Sequence, residues 1–525
     1  MPDPRIAVLV VGAGLTGCVL ALELAHHGIP SMVVERAARI PRQPELNLVS
    51  GRSMELLRRL GLAERIREHG TDPDSRAAVV WSRSIDEPPV LVTETPSPGE
   101  LRRRYADTAD GSTPVEPYTL VTGTGLTTGL RGAVREHPLI DLREGWTFTD
   151  LRAGPDRTVA TVLDGGSRSR HAIETGYLVG CDGAQSTVRR CLGVPLDTAT
   201  APAYHCTIHF RTGQLGDPFA GQSTVIASGV TLSRQSGSDV WIGQLPLDQG
   251  DSAVTDPAAL LHRRLGVRLD AEQILGVTQW QETLGIVGTY RRDAVYLAGQ
   301  SAHPFHPPGH TVDTCLGDAV DLGWKLAATI GGWAGPGLLG SYETERRQRA
   351  VLARESLSRS LSARQRFRRL AAAGASADHL AGVLRTEPPQ MDPSGTLPGS
   401  GFRTSEVVWR EAGDPLPGVR PGSRLPALRT NDGRQLYDLL GPRFTLLDLT
   451  DGQDGRELAD IACARGVPTV HLAVRDASVR ARAGCGLLLV RPDQHVAWRG
   501  TGRPSGWDDV LDVVTGRRAQ DPAIT

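Results

Sequence analysis

Three glycines spaced as Gly12-x-Gly14-x-x-Gly17, and an acid at Glu35, are the residues of this chain whose types and spacing most directly imply chemistry. Gly12 permits a tight turn, Gly14 lets backbone approach a pyrophosphate, and Gly17 allows a helix to pack closely on a strand. A helix opening at such a turn offers N–H groups to phosphate. Glu35 lies 18 residues beyond Gly17 (35 − 17), right for a carboxylate that grips ribose hydroxyls. The chemistry implied is dinucleotide binding.

The elements around these residues agree. Residues 5–11 (RIAVLVV) form a continuous apolar, β-branched run, as in a buried parallel strand. CVLALELAHHG suits a helix ending at Gly28, and SMVVE a second strand. Strand, turn, helix and strand make one βαβ unit. Residues 53–69 read as helical with Ser53 as a cap. Residues 75–118 are polar and Pro-rich with short strand-like runs. Alternating stretches within 140–180 and 204–246 predict a mixed or antiparallel sheet. Helices are expected from Asp318 through Ile330 and from Tyr342 to about Ala373. Residues 374–420, rich in Pro, Gly and Ser, read as a linker, and a compact α/β block follows.

Further segments carry a resemblance. YLVGCDGAQSTVRR (Tyr177–Arg190), with Asp182, Gly183, Ser186 and Arg189, resembles the second fingerprint of the single-component FAD-dependent aromatic hydroxylases. VYLAGQSAHPFHPPGHTVDTCLGDAVDLGWKLA (Val295–Ala327) resembles their third, and SYETERRQRA (Ser341–Ala350) the helix start that follows. ELADIACARGVPTVHLAV and LLLVRPDQHVAWRG resemble the thioredoxin-like domain of the polyketide-hydroxylase branch. The resemblance covers nearly the whole chain. It implies an α/β fold: a Rossmann-like FAD-binding domain, a mixed-sheet substrate domain and a C-terminal thioredoxin-like domain. The boundaries expected are 1–75, 119–190 and 286–373 for the first, 76–118 and 191–285 for the second, 374–420 for the linker and 421–525 for the third. The cofactor residues it implies are Gly12, Gly14, Gly17, Glu35, Arg36, Arg52, Asp182, Gly183, Gly299, Gln300, Pro307 and Gly309. It also implies FAD, with NADPH as reductant if the protein is redox-active, and oxygen transfer to an aromatic ring or Baeyer–Villiger insertion. No second nucleotide unit is expected: the run Gly123-Thr-Gly125-Leu-Thr-Thr-Gly129 reads as a turn and helix start.

Four positions depart from the family pattern. Gly299-Gln300 stands where Gly-Asp is usual. Gly309-His310-Thr311-Val312-Asp313 replaces a glycine-rich loop ending in Asn. Glu45 aligns with an arginine that approaches the pyrophosphate, and Gly123 with a glutamine. β-branched Thr311 and Val312 do not easily copy glycine's backbone angles. A carboxylate from Asp313 at the N1–C2=O2 edge is expected to disfavour flavin reduction, and one from Glu45 to repel phosphate. The adenosine end is intact and the isoalloxazine end eroded.

Other clusters are read as structural. His303, His306 and His310 read as loop-lining residues, Glu345–Arg349 and Arg364–Arg369 as solvated or interdomain helix faces, and Trp324 as core. The seven cysteines are scattered without a CxxC, which fits a reducing cytoplasm and gives no metal site. Lys and Arg total 58 against 59 Asp and Glu, a net charge of −1 that gives no electrostatic reason to expect nucleic acid or an anionic membrane. No apolar run reaches bilayer length, and the start reads as a strand, not a signal peptide. The partner expected is a small-molecule substrate, and the state a monomer or homodimer. Two functions stand open: an FAD-dependent monooxygenase tailoring a polycyclic aromatic or polyketide-type secondary metabolite, or a non-redox cyclase, isomerase or cycloaddition enzyme with FAD structural or absent. No catalytic residue is assigned.

Overall fold

The computed structural model describes residues 6–520 apart from 43–44, 109, 155–156, 199–202, 216–222, 235–238, 248–253, 255, 270–272, 307–310, 388, 390–391, 396–400, 403, 412–417, 451 and 453. The apolar run Ile6–Val11 lies inside an eight-stranded sheet, paired in parallel with Ser31–Glu35 and with Arg170–Gly180. Ile140–Glu144 and Val295–Leu297 extend the parallel set on either side. Val8, Leu9 and Val10 are fully buried. Burial on both faces explains why this strand reads as continuous rather than alternating. The helix Leu15–His26 covers the sheet, and the helix Thr311–Ile330 packs on that helix.

A second sheet of nine strands is built around Ala203–Arg211, which pairs antiparallel with both Val240–Pro246 and Gln273–Val287. The strand Ala77–Ser82 joins it from far earlier in the chain. The last block forms a four-stranded sheet in the order Thr469–Ala473, Phe444–Asp448, Leu487–Val490, Val496–Gly500. A helix at Ala477–Ala483, capped by Asp476 and stopped by left-handed Gly484, adds to the elements expected there.

That block is pinned to the first domain by a buried ion cluster. Arg491, fully buried, donates to Glu345 at 2.7 and 2.9 Å, to Asp321 at 3.0 Å and to Asp493 at 2.6 Å. Lys325 donates to Asp321 and Glu345 at 2.9 and 2.8 Å. Two cations face three carboxylates, and burial pushes the Asp321 carboxyl up. A proton on Asp321 leaves the cluster neutral. Glu345 is thus interdomain and dry. Trp324 is core, packed edge-on to Phe444 of the C-terminal sheet.

Two local readings change. Ser50, not Ser53, caps the first helix of the 53–69 segment: its side chain accepts from Ser53 N–H, and the helix Gly51–Arg59 is separate from Ala63–Glu68. The 374–420 stretch is not an open linker. Ala377–Thr386 is helical, capped by Ser376, and buries Leu380 and Leu384 in a cluster with Trp81 and Phe367.

Candidate functional site

A cleft of about 430 Å³ opens at the ends of the first sheet's strands. Its floor is the turn after Ile6–Val11. A Cβ on Gly17 would sit 1.9 Å from the Gly12 carbonyl oxygen, so only glycine lets this helix close on the turn. At Gly14 the same construction meets nothing within 4 Å, and Gly14, at the N-cap, has no side chain with which to cap the helix that begins at Leu15. That helix therefore presents first-turn N–H groups and the positive end of its dipole to open space lined by Gly12, Gly14 and Thr16.

Glu35 and Arg36 close one end. The Glu35 carboxylate is preset: Oε2 accepts from Ala13 N–H at 2.7 Å and Oε1 from Ala37 N–H at 2.9 Å. Trp146, Thr147 and Phe148 stand at the wall, with Gly123, Thr127 and Arg131 from one face of the helix Gly123–Glu136. Arg131 escaped the sequence reading, although the i, i+4, i+8 spacing of these three places them together. It is buried and holds the turn, donating to the Ala13 carbonyl at 2.9 Å and to Glu144 at 3.1 Å.

Asp182, Gly183, Gln300, Thr311, Val312 and Cys315 line the rest. Asp182 Oδ2 accepts from the N–H groups of Thr187 and Val188, while its buried Oδ1 has no donor among the described residues. A buried acceptor left this way is costly unless a ligand hydroxyl completes it. Gly299, at φ +65°, stands beside the cleft: its N–H donates to Asp318, and a Cβ there would lie 2.2 Å from Thr16 Oγ1. Burial pushes the Cys315 thiol up to about 12, which removes thiolate chemistry.

Two of the four expected departures look different in space. Thr311 and Val312 are the first residues of the helix Thr311–Ile330, and neither has positive φ. Helical β-branched residues need no glycine angles there. The Asp313 carboxylate is not among the cleft-lining residues. It turns to the Gly51–Arg59 helix, where the Ser50 and Ser53 hydroxyls both donate to Oδ1 at 2.5 Å. Glu45 faces the second sheet instead of the phosphate floor, with Oε1 3.2 Å from His209 Nε2. Arg52, expected at the cofactor, donates to Gln494 Oε1 at 2.7 Å and to the Asp493 carbonyl at 2.9 Å, and so joins this helix to the C-terminal block. Pro307, Gly309 and His310 lie outside the described residues, as does the side chain of His306. His303 is buried, not loop-lining: Nε2 is 2.7 Å from Asp318 Oδ2, which also takes the Gly299 N–H. No group of three His, Cys, Asp or Glu among the described residues could hold a metal ion.

The fit of FAD rests on the uncapped helix start, the open space over Gly14, the preset Glu35 and the incomplete Asp182. Comparison with known proteins agrees. Residues 5–355 match the family described as FAD binding domain, and residues 418–518 the aromatic-ring hydroxylase C-terminal domain. The chain belongs to this family of FAD-dependent aromatic-ring hydroxylases, and FAD is its cofactor. It is similar to the FAD-dependent monooxygenase apdD of Emericella nidulans, at 26% identity over 94% of this chain and 87% of the relative. It is also similar to aklavinone 12-hydroxylase RdmE of Streptomyces purpurascens, at 28% identity over 95% and 96%. The solved structure of the rebeccamycin biosynthetic enzyme RebC with reduced flavin superposes with a TM-score of 0.83, at 29% identity over 98% of this chain and 99% of that one. The protein is an enzyme of the flavoprotein monooxygenase family.

Proposed function

We propose that this protein is an NADPH-dependent monooxygenase that tailors a polycyclic aromatic or polyketide-type secondary metabolite, by ring hydroxylation or Baeyer–Villiger insertion. The observation that carries the reading is the cleft running from Glu35 to the Thr311 helix start, which the second sheet approaches where His209 meets Glu45. RdmE and RebC, both similar over nearly their full lengths, are named for such metabolites. With Asp313 turned to Ser50 and Ser53, the argument for a redox-silent cofactor loses its main support.

In this reading Gly12, Gly14 and Gly17 receive the pyrophosphate, and Glu35 and Arg36 hold the adenosine end. Asp182, Gly183, Gly299 and Gln300, with Pro307 and Gly309, hold the ribityl and ring end. Arg52 supports the site by fixing the Gly51–Arg59 helix. Bound there, FAD supplies the two-electron chemistry that activates dioxygen. The Thr311–Ile330 helix, whose first residues line the cleft, would offer its positive end to the ring, where negative charge is favoured. The second sheet covers the substrate and keeps water from it. In this reading the cofactor domain comprises 1–75, 119–190 and 286–373, the substrate domain 76–118 and 191–285, and 374–420 leads to 421–525 as a thioredoxin-like third. The enzyme works in the cytoplasm as a monomer or homodimer. No helix among the described residues is long and apolar enough to cross a membrane.

The test is turnover with NADPH and isotopically heavy dioxygen on hydroxylated polycyclic aromatics. Incorporation of one heavy oxygen into product, coupled to NADPH oxidation, is expected. Product formed without either co-substrate would reject the reading.

A further inference from the structure

The two faces of the second sheet differ in kind. On Ala203–Arg211, Cys206, Ile208 and Phe210 are fully buried, clustered with leucines of the helix Pro257–Leu265. That face is closed. The alternate residues His205, Thr207 and His209 point to the other face, and there polar groups are drawn together. Trp280 Nε1 donates to Thr207 Oγ1 at 2.8 Å. His205 stacks on Trp280 with ring centres 4.4 Å apart and lies 3.3 Å from Glu282.

His209 reaches across to the first domain. Its Nε2 is 3.2 Å from Oε1 of Glu45. Glu45 stands at the rim of the cofactor cleft: its carbonyl accepts from Gly123 N–H at 3.1 Å, and Gly123 and Asn47 both line the cleft. The pair therefore sits where the cofactor cleft meets the inner face of the substrate sheet. It also gives a use to the carboxylate at a position where the resemblance implies an arginine.

With Glu45 accepting the Nε2–H, the neutral imidazole presents Nδ1 as an acceptor. Nδ1 has no hydrogen-bond partner among the described residues. Gly276 pairs with His209 across the strands, and a Cβ there would sit 3.5 Å from Nδ1. Glycine keeps that approach open. We propose that His209, oriented by Glu45, is the acid–base residue that takes the proton of an ionisable ring hydroxyl, a phenol or enol, on the substrate. This deepens the monooxygenase reading and rests on it. In the step, the substrate O–H breaks and the Nδ1–H forms, with the electron pair left on the substrate oxygen. That oxyanion enriches the ring carbons ortho and para to it, as electrophilic oxygen transfer requires. The imidazolium is held by the Glu45 carboxylate, and its proton returns to the product oxyanion before release. Glu45 is the positioning residue. The other charged groups on this face include His205 with Glu282, Arg364, whose charge acts on Glu282, and Arg211 with Asp239.

The test uses the FAD-loaded protein and alizarin, a dihydroxylated polycyclic whose ionisation shifts its visible band beyond that of flavin. Binding is followed by quenching of flavin fluorescence. Bound to the wild type, alizarin is expected to ionise at lower pH than when free. His209→Gln keeps a donor for Glu45 but cannot accept a proton. It is expected to raise the ionisation midpoint of bound alizarin by about one pH unit or more. Glu45→Gln is expected to raise it by less, and flavin retention in both variants shows that they are folded. A His–Glu pair that only ties the domains together would leave the midpoint unmoved. Alizarin that binds with the same midpoint in wild type and His209→Gln overturns the proposal and leaves the monooxygenase reading standing. Alizarin that fails to bind the wild type overturns the polycyclic-substrate reading itself.

Discussion

The Ser53 hydroxyl lies 2.5 Å from Asp313 Oδ1, and the Ser50 hydroxyl lies 2.5 Å from the same oxygen. Two donors thus hold the carboxylate against the Gly51–Arg59 helix, and the Arg349 cation is near enough to act on it. An unscreened charge about 4 Å from reduced flavin would cost about 4 kcal/mol, or about 90 mV for a two-electron couple. Held as it is, Asp313 is expected to matter far less. Asp313→Asn should change the flavin reduction potential by about 30 mV or less. A rise near 90 mV would show that the charge is felt at the ring.

Glu35 is expected to carry much of the adenosine-end affinity. Glu35→Ala removes the acceptor of two backbone N–H groups as well as the ribose contact. The loss expected is about 1–3 kcal/mol, roughly 5- to 150-fold in Kd. Titrating FAD into the apoprotein measures it, and unchanged affinity would mean that the nucleotide does not sit on this turn.

The Arg491 cluster is expected to dominate the attachment of the C-terminal block. Arg491→Met leaves Glu345, Asp493 and Asp321 with Lys325 as their remaining cation within the cluster. Breaking a buried ion pair from one side costs about 3–5 kcal/mol. Urea unfolding should show a loss of that size, and a loss under about 1 kcal/mol would show that the cluster adds little.

How much of this was legible depended on sequence distance. The strand, the glycine turn, the helix and Glu35 occupy 30 consecutive residues (6–35), and local pattern was enough to read them. The helix start at Thr311 was hidden by the prolines and histidines before it. The start of Pro336–Ala372 was hidden by Gly337 and Gly340, although a proline in the first turn is a favourable opening. The buried cluster joins positions 321, 325, 345, 491 and 493, and Glu45 meets His209 across 164 positions. Side chains that far apart have no shared periodicity to betray them. Glu45 and Asp313 stood out as departures, but only their partners in space show where the charges go.

Stability is expected to fall as pH drops from 6.5 to 4. Burial, joined by the Arg59 cation, lowers the His26 pKa to about 4. Burial likewise lowers that of His495 to about 4, against the pull of Asp493. Both values lie below that of the unfolded chain, about 6.5. Between those values the unfolded chain binds more protons, so acid favours it, by up to about 3 kcal/mol for His495. Urea midpoints at pH 7 and pH 5 measure the slope. His495→Asn should flatten it, and an equal slope in that variant would contradict the assignment.

The cleft from Glu35 to Thr311 is expected to hold an FAD that NADPH reduces. The most direct test is anaerobic rapid mixing of the FAD-loaded protein with NADPH, with alizarin present. The visible flavin absorption is expected to bleach within the time of turnover and to return when oxygen is admitted. A flavin that stays oxidised, while the aromatic is converted without NADPH or oxygen, would contradict it.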